Sequence, residues 1–243
     1  MTVAVEAAEQ VAEVLAWRLP RWPVNVPRLT DETASALEPH FRLTDGLAAL
    51  LTVLAEETPA RVELRCEGDL PGGDPTPLMR RLLVSVLAER VAGEVNVVNA
   101  PTVARECGIA TEQALVAPSR GYAHLVEASV TAGDCCHTVA GALLEYGEPR
   151  IVEITGYTCD LPLTGEALLV WNAEPDKPGF VGRLGTLLGE AGVSIKAVNI
   201  APETIGGQGL MIVSTEARAG ELVREQVSGL AGLADIRGVS FGA

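Results

Sequence analysis

Two clusters in this 243-residue sequence hold residue types that could do chemistry. The first is Cys135-Cys136-His137, two thiols beside an imidazole. A reactive thiolate needs a base within hydrogen-bond reach, and a metal needs its ligands on one side. Neighbours on a strand point to opposite faces, so these three do not converge, and inert thiols are the simpler reading. The other cysteines, Cys66, Cys107 and Cys159, complete no C-x-x-C pair, and five thiols suit no disulfide framework. The second cluster is the loop Asp176-Lys177-Pro178-Gly179, set between a strand ending at Asn172 and an amphipathic helix. Unpaired N–H groups at a helix start can receive a carboxylate, and Asp176 can accept an ammonium, so an amino acid suits this loop. A phosphate alone would be repelled by Asp176. The same residues also suit a purely structural role, with Pro-Gly making the turn and Asp176 capping the helix. Gly206-Gly207-Gln208-Gly209 lies between two strand patterns, where glycines make a turn, and not between a strand and a helix, where they would cradle phosphate. No cofactor, metal or catalytic residue is expected.

Positioning these clusters falls to a mixed set of elements. EAAEQVAEVLAW (6–17) has helical spacing and is ended by the proline-bearing LPRWPVNVPRL; Trp17 and Trp22 flank it. A second helical pattern runs from Leu43 to Glu56, capped by Thr44 or Asp45. RVELRCEG alternates as a strand with Val62, Leu64 and Cys66 on one face, and a helix is expected from about Pro77 to Val91. EVNVVNAPTVAREC reads as a short strand, a turn held by Asn96 and Asn99, and a helix. YAHLVEASV, HTVAGALLEY and RIVEITGYTCDL are three β-rich runs, an antiparallel meander. After Gly165 the order becomes β-α-β-β-α-β: strand Ala167–Asn172, helix Gly179–Ala191 closed by Gly192, strands Ser194–Ile200 and Gln208–Ser214, helix Ala219–Gly229 and strand Ala234–Phe241. That is a ferredoxin-like unit with both helices on one face of its sheet. Its open face and edge call for cover, usually by a second copy, so a homodimer or higher homo-oligomer is expected.

Composition sets the outer limits. Apolar residues at 48% can fill packed cores, and with aromatics at only 4% those cores must be Val, Leu, Ala and Ile, which suits an α+β fold. The length suits two globular units after an N-terminal helix and linker at 1–23, one over 24–164 and one over 165–243. A net charge of −14 argues against nucleic acid and anionic membranes. No apolar run reaches the roughly 20 residues that span a bilayer, and the acidic start does not look like a signal peptide, so a cytoplasmic location is expected.

D-K-P-G-F-V-G-R-L-G-T-L-L-G-E-A-G-V-S-I (176–195) resembles the opening of an ACT domain, a small ligand-sensing module of amino-acid metabolism. V-N-V-V-N-A-P with A-R-E-C-G-I (95–101 and 104–109), T-V-A-G-A-L and R-I-V-E-I-T-G-Y resemble the intervening, allosteric substrate-binding domain of long-form D-3-phosphoglycerate dehydrogenases. The motifs fall in that family's order over nearly the whole chain. The family's nucleotide-binding motif and catalytic His, Arg and Glu are not among them, so dehydrogenase activity from this chain alone is not expected. By the resemblance, an effector such as serine would sit between two subunits on Asn172, Asp176, Lys177, Pro178, Gly179 and Ser194. Ser194 stands where the family has Asn, and Glu174 and Pro175 lengthen the loop, which opens the site to other small amino acids. The resemblance also implies an anion site on the intervening domain, with Arg150 and His137 as its basic residues and Pro162 where an Arg would be.

Three readings follow. The first is a non-catalytic regulatory protein, related to serine biosynthesis, that binds L-serine or a relative. The second is the regulatory subunit, or a truncated form, of an NAD-dependent phosphoglycerate dehydrogenase whose catalytic half is another chain. The third is an unrelated activity around Cys135, Cys136 or His137. Iron–sulfur L-serine dehydratases also carry both domains, but the cysteines here have no cluster-ligating arrangement.

Overall fold

In the computed structural model the described residues are 29–242, apart from 89, 92, 145–146, 176–177, 216–226 and 228, together with Val5 and Ala12. The helix and linker read over 1–23, loop residues Asp176 and Lys177, and most of the helix read over Ala219–Gly229 lie outside them.

The first described helix, α1, runs Asp31–Leu54 and is 24 residues long. Thr30 caps it by accepting from Thr33 N at 3.2 Å, and Asp31 and Glu32 place negative charge in the first turn, at the positive end of the helix dipole. The sequence pattern places this start at Leu43, whereas the structure starts the helix at Asp31 and carries Pro39 inside it. Thr44 is therefore no cap: its hydroxyl donates to His40 O at 2.8 Å, one turn back. Asp45 instead pairs with Arg81 in two hydrogen bonds of 2.6 and 2.7 Å.

The end of α1 has no basic residue in its last turn. Its exposed carbonyls are served from elsewhere in the chain. Arg90 donates to Thr52 O and Ala55 O, and Arg237, about 180 residues further on, donates to Val53 O at 2.9 Å and Leu54 O at 2.8 Å.

A six-stranded sheet follows, with β1 Arg61–Gly68, β2 Ala110–Val116, β3 His124–Ala132, β4 Cys135–Leu143, β5 Pro149–Ile154 and β6 Tyr157–Pro162 in the order β2-β1-β3-β4-β5-β6. All pairs are antiparallel except β1 with β2. Strand β2 is an exposed edge without apolar alternation, which is why it carries no strand signal in the sequence. The run RIVEITGYTCDL is a hairpin, β5 and β6, turning at Thr155 and Gly156 with φ of 49° and 86°. Val62, Leu64 and Cys66 on β1 are buried against α1 and α2 (Thr76–Leu87). The expected strand before Asn99 is a turn instead: Asn96 Oδ1 accepts from Val98 N and Asn99 N, Asn99 Oδ1 accepts from Asn96 N, and helix α3 starts at Ala100.

The second sheet contains β7 Gly165–Asn172, β8 Ile195–Ile205, β9 Gln208–Thr215 and β10 Leu233–Phe241, ordered β10-β7-β9-β8, all antiparallel. This is the ferredoxin-like strand order, and the chain as a whole is α+β. Helix α4, Phe180–Glu190, lies on one face through Phe180, Leu184 and Leu188. It ends in a Schellman motif, with Gly192 at φ 72°, Gly192 N donating to Gly189 O and Val193 N to Leu188 O. The other face, including Leu169, Ile212, Val239 and Phe241, joins the core built by α1 and the first sheet. The same chain thus covers that face. Strand β8 remains an open edge, with Ile195, Val198 and Ile200 exposed.

Candidate functional site

A cavity of about 360 Å³ opens where β7 passes into α4. β7 ends at Asn172, whose amide closes a local turn: Oδ1 accepts from Glu174 N at 2.9 Å and Nδ2 donates to Glu174 O at 3.1 Å. Past Pro178, Gly179 takes φ 92° and starts α4 at the cavity mouth, and among the described residues no side chain caps the first N–H groups of the helix. A left-handed start of this kind favours glycine. The opposite wall is Ala201-Pro202-Glu203, where the pairing of β8 with β9 breaks between Ile200 and Thr204. Proline has no N–H for a ladder, so the break falls where Pro202 stands. Gly209 completes the ring: a Cβ there would lie 2.9 Å from Pro175 Cβ. Phe180 and Met211, buried on the α4 side of the sheet, form the floor, while the side chains of Ala201 and Leu210 belong to the core on the opposite face.

The wall is tied to the large sheet. Glu203 accepts from Thr158 N at 3.0 Å and from Thr158 Oγ1 at 2.7 Å, and those donors hold its carboxyl below the usual carboxylate range. Tyr157 Oη donates toward Ile205 O and Gln208 O at the end of the β8–β9 hairpin, at 3.3 and 3.0 Å. That hairpin turns on Gly206 and Gly207, with φ of 60° and 80°.

Of the effector residues read from sequence, Asn172, Pro178 and Gly179 line the cavity, while Asp176 and Lys177 lie outside the described residues. Ser194 is exposed at the head of β8, about 20 Å along the strand from Ile200, and does not reach the cavity of its own chain. Sequence reasoning missed Glu203, Thr158 and Tyr157. Ala201-Pro202 inside a β pattern was the one available signal of a break there.

The structure does not bring together the two basic residues read as an anion site. His137 and the Arg150 partner Ala142 are five residues apart on β4, about 17 Å and on opposite faces. Arg150 is occupied by Asp160 at 3.2 Å and Glu148 at 3.1 Å. Burial and the nearby Arg237 cation push the His137 pKa down, against a smaller pull from Glu56, which favours the neutral ring. The thiols divide as well. Burial pushes Cys66 and Cys159 up to about 12, while Cys107, Cys135 and Cys136 are exposed. Among the described residues no group of three or more His, Cys, Asp or Glu could hold a metal, and no helix is long and apolar enough to cross a membrane.

The sequence that builds these two sheets is similar to that of known proteins. Residues 36–155 match the D-3-phosphoglycerate dehydrogenase intervening domain. Over 239 residues, 97% of this chain, the sequence is 30% identical to D-3-phosphoglycerate dehydrogenase of Synechocystis, of which the match covers 42%. The enzymes of the same name from Bacillus subtilis and Methanocaldococcus jannaschii are each 24% identical, over 98% and 94% of this chain and 45% and 43% of their own lengths. The chain therefore resembles the regulatory half of D-3-phosphoglycerate dehydrogenases. It spans a little over two-fifths of the length of the curated relatives it matches.

Proposed function

We propose that this protein is a non-catalytic regulatory module, related to serine biosynthesis, whose ferredoxin-like unit is an ACT domain that binds a small amino acid, L-serine or a relative. The observation that carries this reading is the cavity at the β7–α4 junction, where a glycine-led helix start meets the polar end of a strand. A carboxylate at the N–H groups and an ammonium at Asp176 would use both ends of an amino acid. The open β8 edge, with Ile195, Val198 and Ile200 exposed, supports a second copy completing the site in a cytoplasmic homo-oligomer. Binding would act by favouring whichever arrangement of the assembly holds the ligand more tightly.

Isothermal titration with L-serine, glycine, L-alanine and 3-phosphoglycerate tests this, with any hit repeated on Asp176→Ala. Saturable amino-acid binding that the variant loses is the expected result. Absence of binding by every amino acid refutes the sensor reading. A second reading is favoured by the share of the relatives outside the match, more than half of their length: the module docks on an NAD-dependent catalytic half. It predicts that adding this chain to such a half changes its turnover of 3-phosphoglycerate.

A further inference from the structure

We propose that strand β2 is a self-association edge: it pairs antiparallel with the β2 of a second copy of this chain, across a two-fold axis at Gln113, and joins two six-stranded sheets into one. The two ends of the first sheet are unlike. At one end β6 is held against the second sheet, through Thr158 to Glu203 and Tyr157 to Ile205 O. At the other end β2 bonds β1 alone, and among the described residues no strand pairs with its outer side. Ala110 to Leu115 are exposed whichever face they point to, Leu115 at 38%. Edges of sheets that stay single are blunted by proline, lysine, a bulge or an inward charge. The run ATEQALV (110–116) has no proline and no lysine, and its register with β1 is continuous through seven pairs. Its one charge, Glu112, lies on the outer face with Arg61.

Charge favours a second copy and selects the register. Gln113 is the middle residue of β2, so a two-fold there pairs all seven residues. It sets Glu112 opposite the partner's Ala114, Thr111 opposite the partner's Leu115 and Ala110 opposite the partner's Val116. A two-fold one residue earlier would set the two Glu112 carboxylates face to face, which like charges oppose. On the outer face Arg65 is level with Ala114. The partner's Glu112 then lies two strand spacings from Arg65, about 9.6 Å between backbones, a gap that a guanidinium and a carboxylate bridge over the short side chain of Ala114. Arg65 has donors to spare: its side chain is 48% exposed and holds Glu67 at 3.4 Å. A depression of about 270 Å³, lined by Arg65, Glu112 and Ala114 among others, is the space that carboxylate would enter. The other carboxylates of its lining are already answered, Glu63 by Arg61 and Glu127 by Arg120. Pairing across a two-fold uses up both edges, so it closes on a pair of copies.

The test is cross-linking of the full-length chain with the exposed Cys107, Cys135 and Cys136 changed to Ser. Gln113→Cys sets two thiols on the axis, with Cα atoms about 4.5–5.5 Å apart and inside the disulfide range. Thr111→Cys, on the same face, leaves them four residues out of step, about 14 Å apart. A disulfide-linked dimer from Gln113→Cys and none from Thr111→Cys is the expected result. Sedimentation equilibrium gives a second arm. Ala114→Glu sets a carboxylate against each Glu112 of the pair and should raise the dissociation constant about tenfold, and adding Glu112→Lys should restore it. Linking of both cysteine variants or of neither overturns the inference, as does an association that Ala114→Glu leaves unchanged. Strand β8 lies on the second sheet and carries none of these changes, and no ligand is needed, so the outcome is separate from that of the amino-acid reading.

Discussion

Replacing Arg237 by Ala should destabilise the protein substantially, although the residue lies on the last described strand, far in sequence from what it stabilises. One guanidinium nitrogen donates to Val53 O at 2.9 Å and Leu54 O at 2.8 Å, the Nε to Asp235 at 2.7 Å, and the cation sits 5.9 Å from the Trp171 ring centre. A hydrogen bond from a charged donor contributes about 1.5–3 kcal/mol, and a cation–π contact about 0.5–1 kcal/mol. The side chain is 20% exposed, so water can reach part of what is uncovered and the low end of each range applies. Glu56 and Asp235 are themselves well exposed, at 79% and 43%, and their ion pairs add little. The two carbonyl bonds and the ring contact sum to about 3.5 kcal/mol. For a chain of this size that corresponds to a fall of about 7–14 °C in Tm. Arg237→Lys, which keeps the charge but not the fork, should recover under half of the loss. Urea unfolding of the two variants beside the wild type measures it. A loss below about 1 kcal/mol for Arg237→Ala would refute the reasoning, by showing that Arg90 and water satisfy the end of α1 without it.

Acid should begin to weaken the fold once pH drops below about 6.5. Burial, helped by the neighbouring His124 and opposed by the Ala36 carbonyl, lowers the His40 pKa to about 4. The folded state then binds fewer protons than the unfolded chain between pH 6.5 and 4, so stability falls as pH drops through that window and levels off below it. The shift is worth about 3 kcal/mol, and His40→Asn should flatten the fall in a denaturation series from pH 7 to 4. The cysteines give a separate check. Native protein should react quickly with a chromogenic thiol reagent at Cys107, Cys135 and Cys136, and at Cys66 and Cys159 only after unfolding, because burial raises those two to about 12. Five equally fast thiols would contradict the packing of β1 and β6.

Much of the architecture was legible because it depends on local pattern. Alternation on β1 showed which of its side chains are buried, the Asn96 and Asn99 pair marked a turn that the hydrogen bonds reproduce, and the strand order after Gly165 follows from its element series. The misses have physical causes. Pro39 stops a helix in an isolated peptide, but here the packing of Leu37, Phe41, Leu43 and Leu47 carries the helix through it. β2 is held by pairing with β1 and contributes almost no core, so it leaves no periodicity to read. At the site, residue type indicated Asn172 but not that its amide is spent on its own loop. The β8 wall was hidden because it depends on a contact between Glu203 and Thr158, 45 residues apart.

The core that runs unbroken from α1 through the far face of the second sheet makes the second unit poorly interchangeable. Modular proteins trade such units between scaffolds when each can close its own interior. Here Leu169, Ile212, Val239 and Phe241 find their neighbours in the preceding unit, and α1 finds its terminal donor on β10. A graft of residues 165–242 onto another protein would arrive with one oily side bare and would leave behind a helix with unanswered carbonyls. Recombination that preserves both pieces has to move residues 29–242 together, so the two units should be inherited as a pair and drift as a pair.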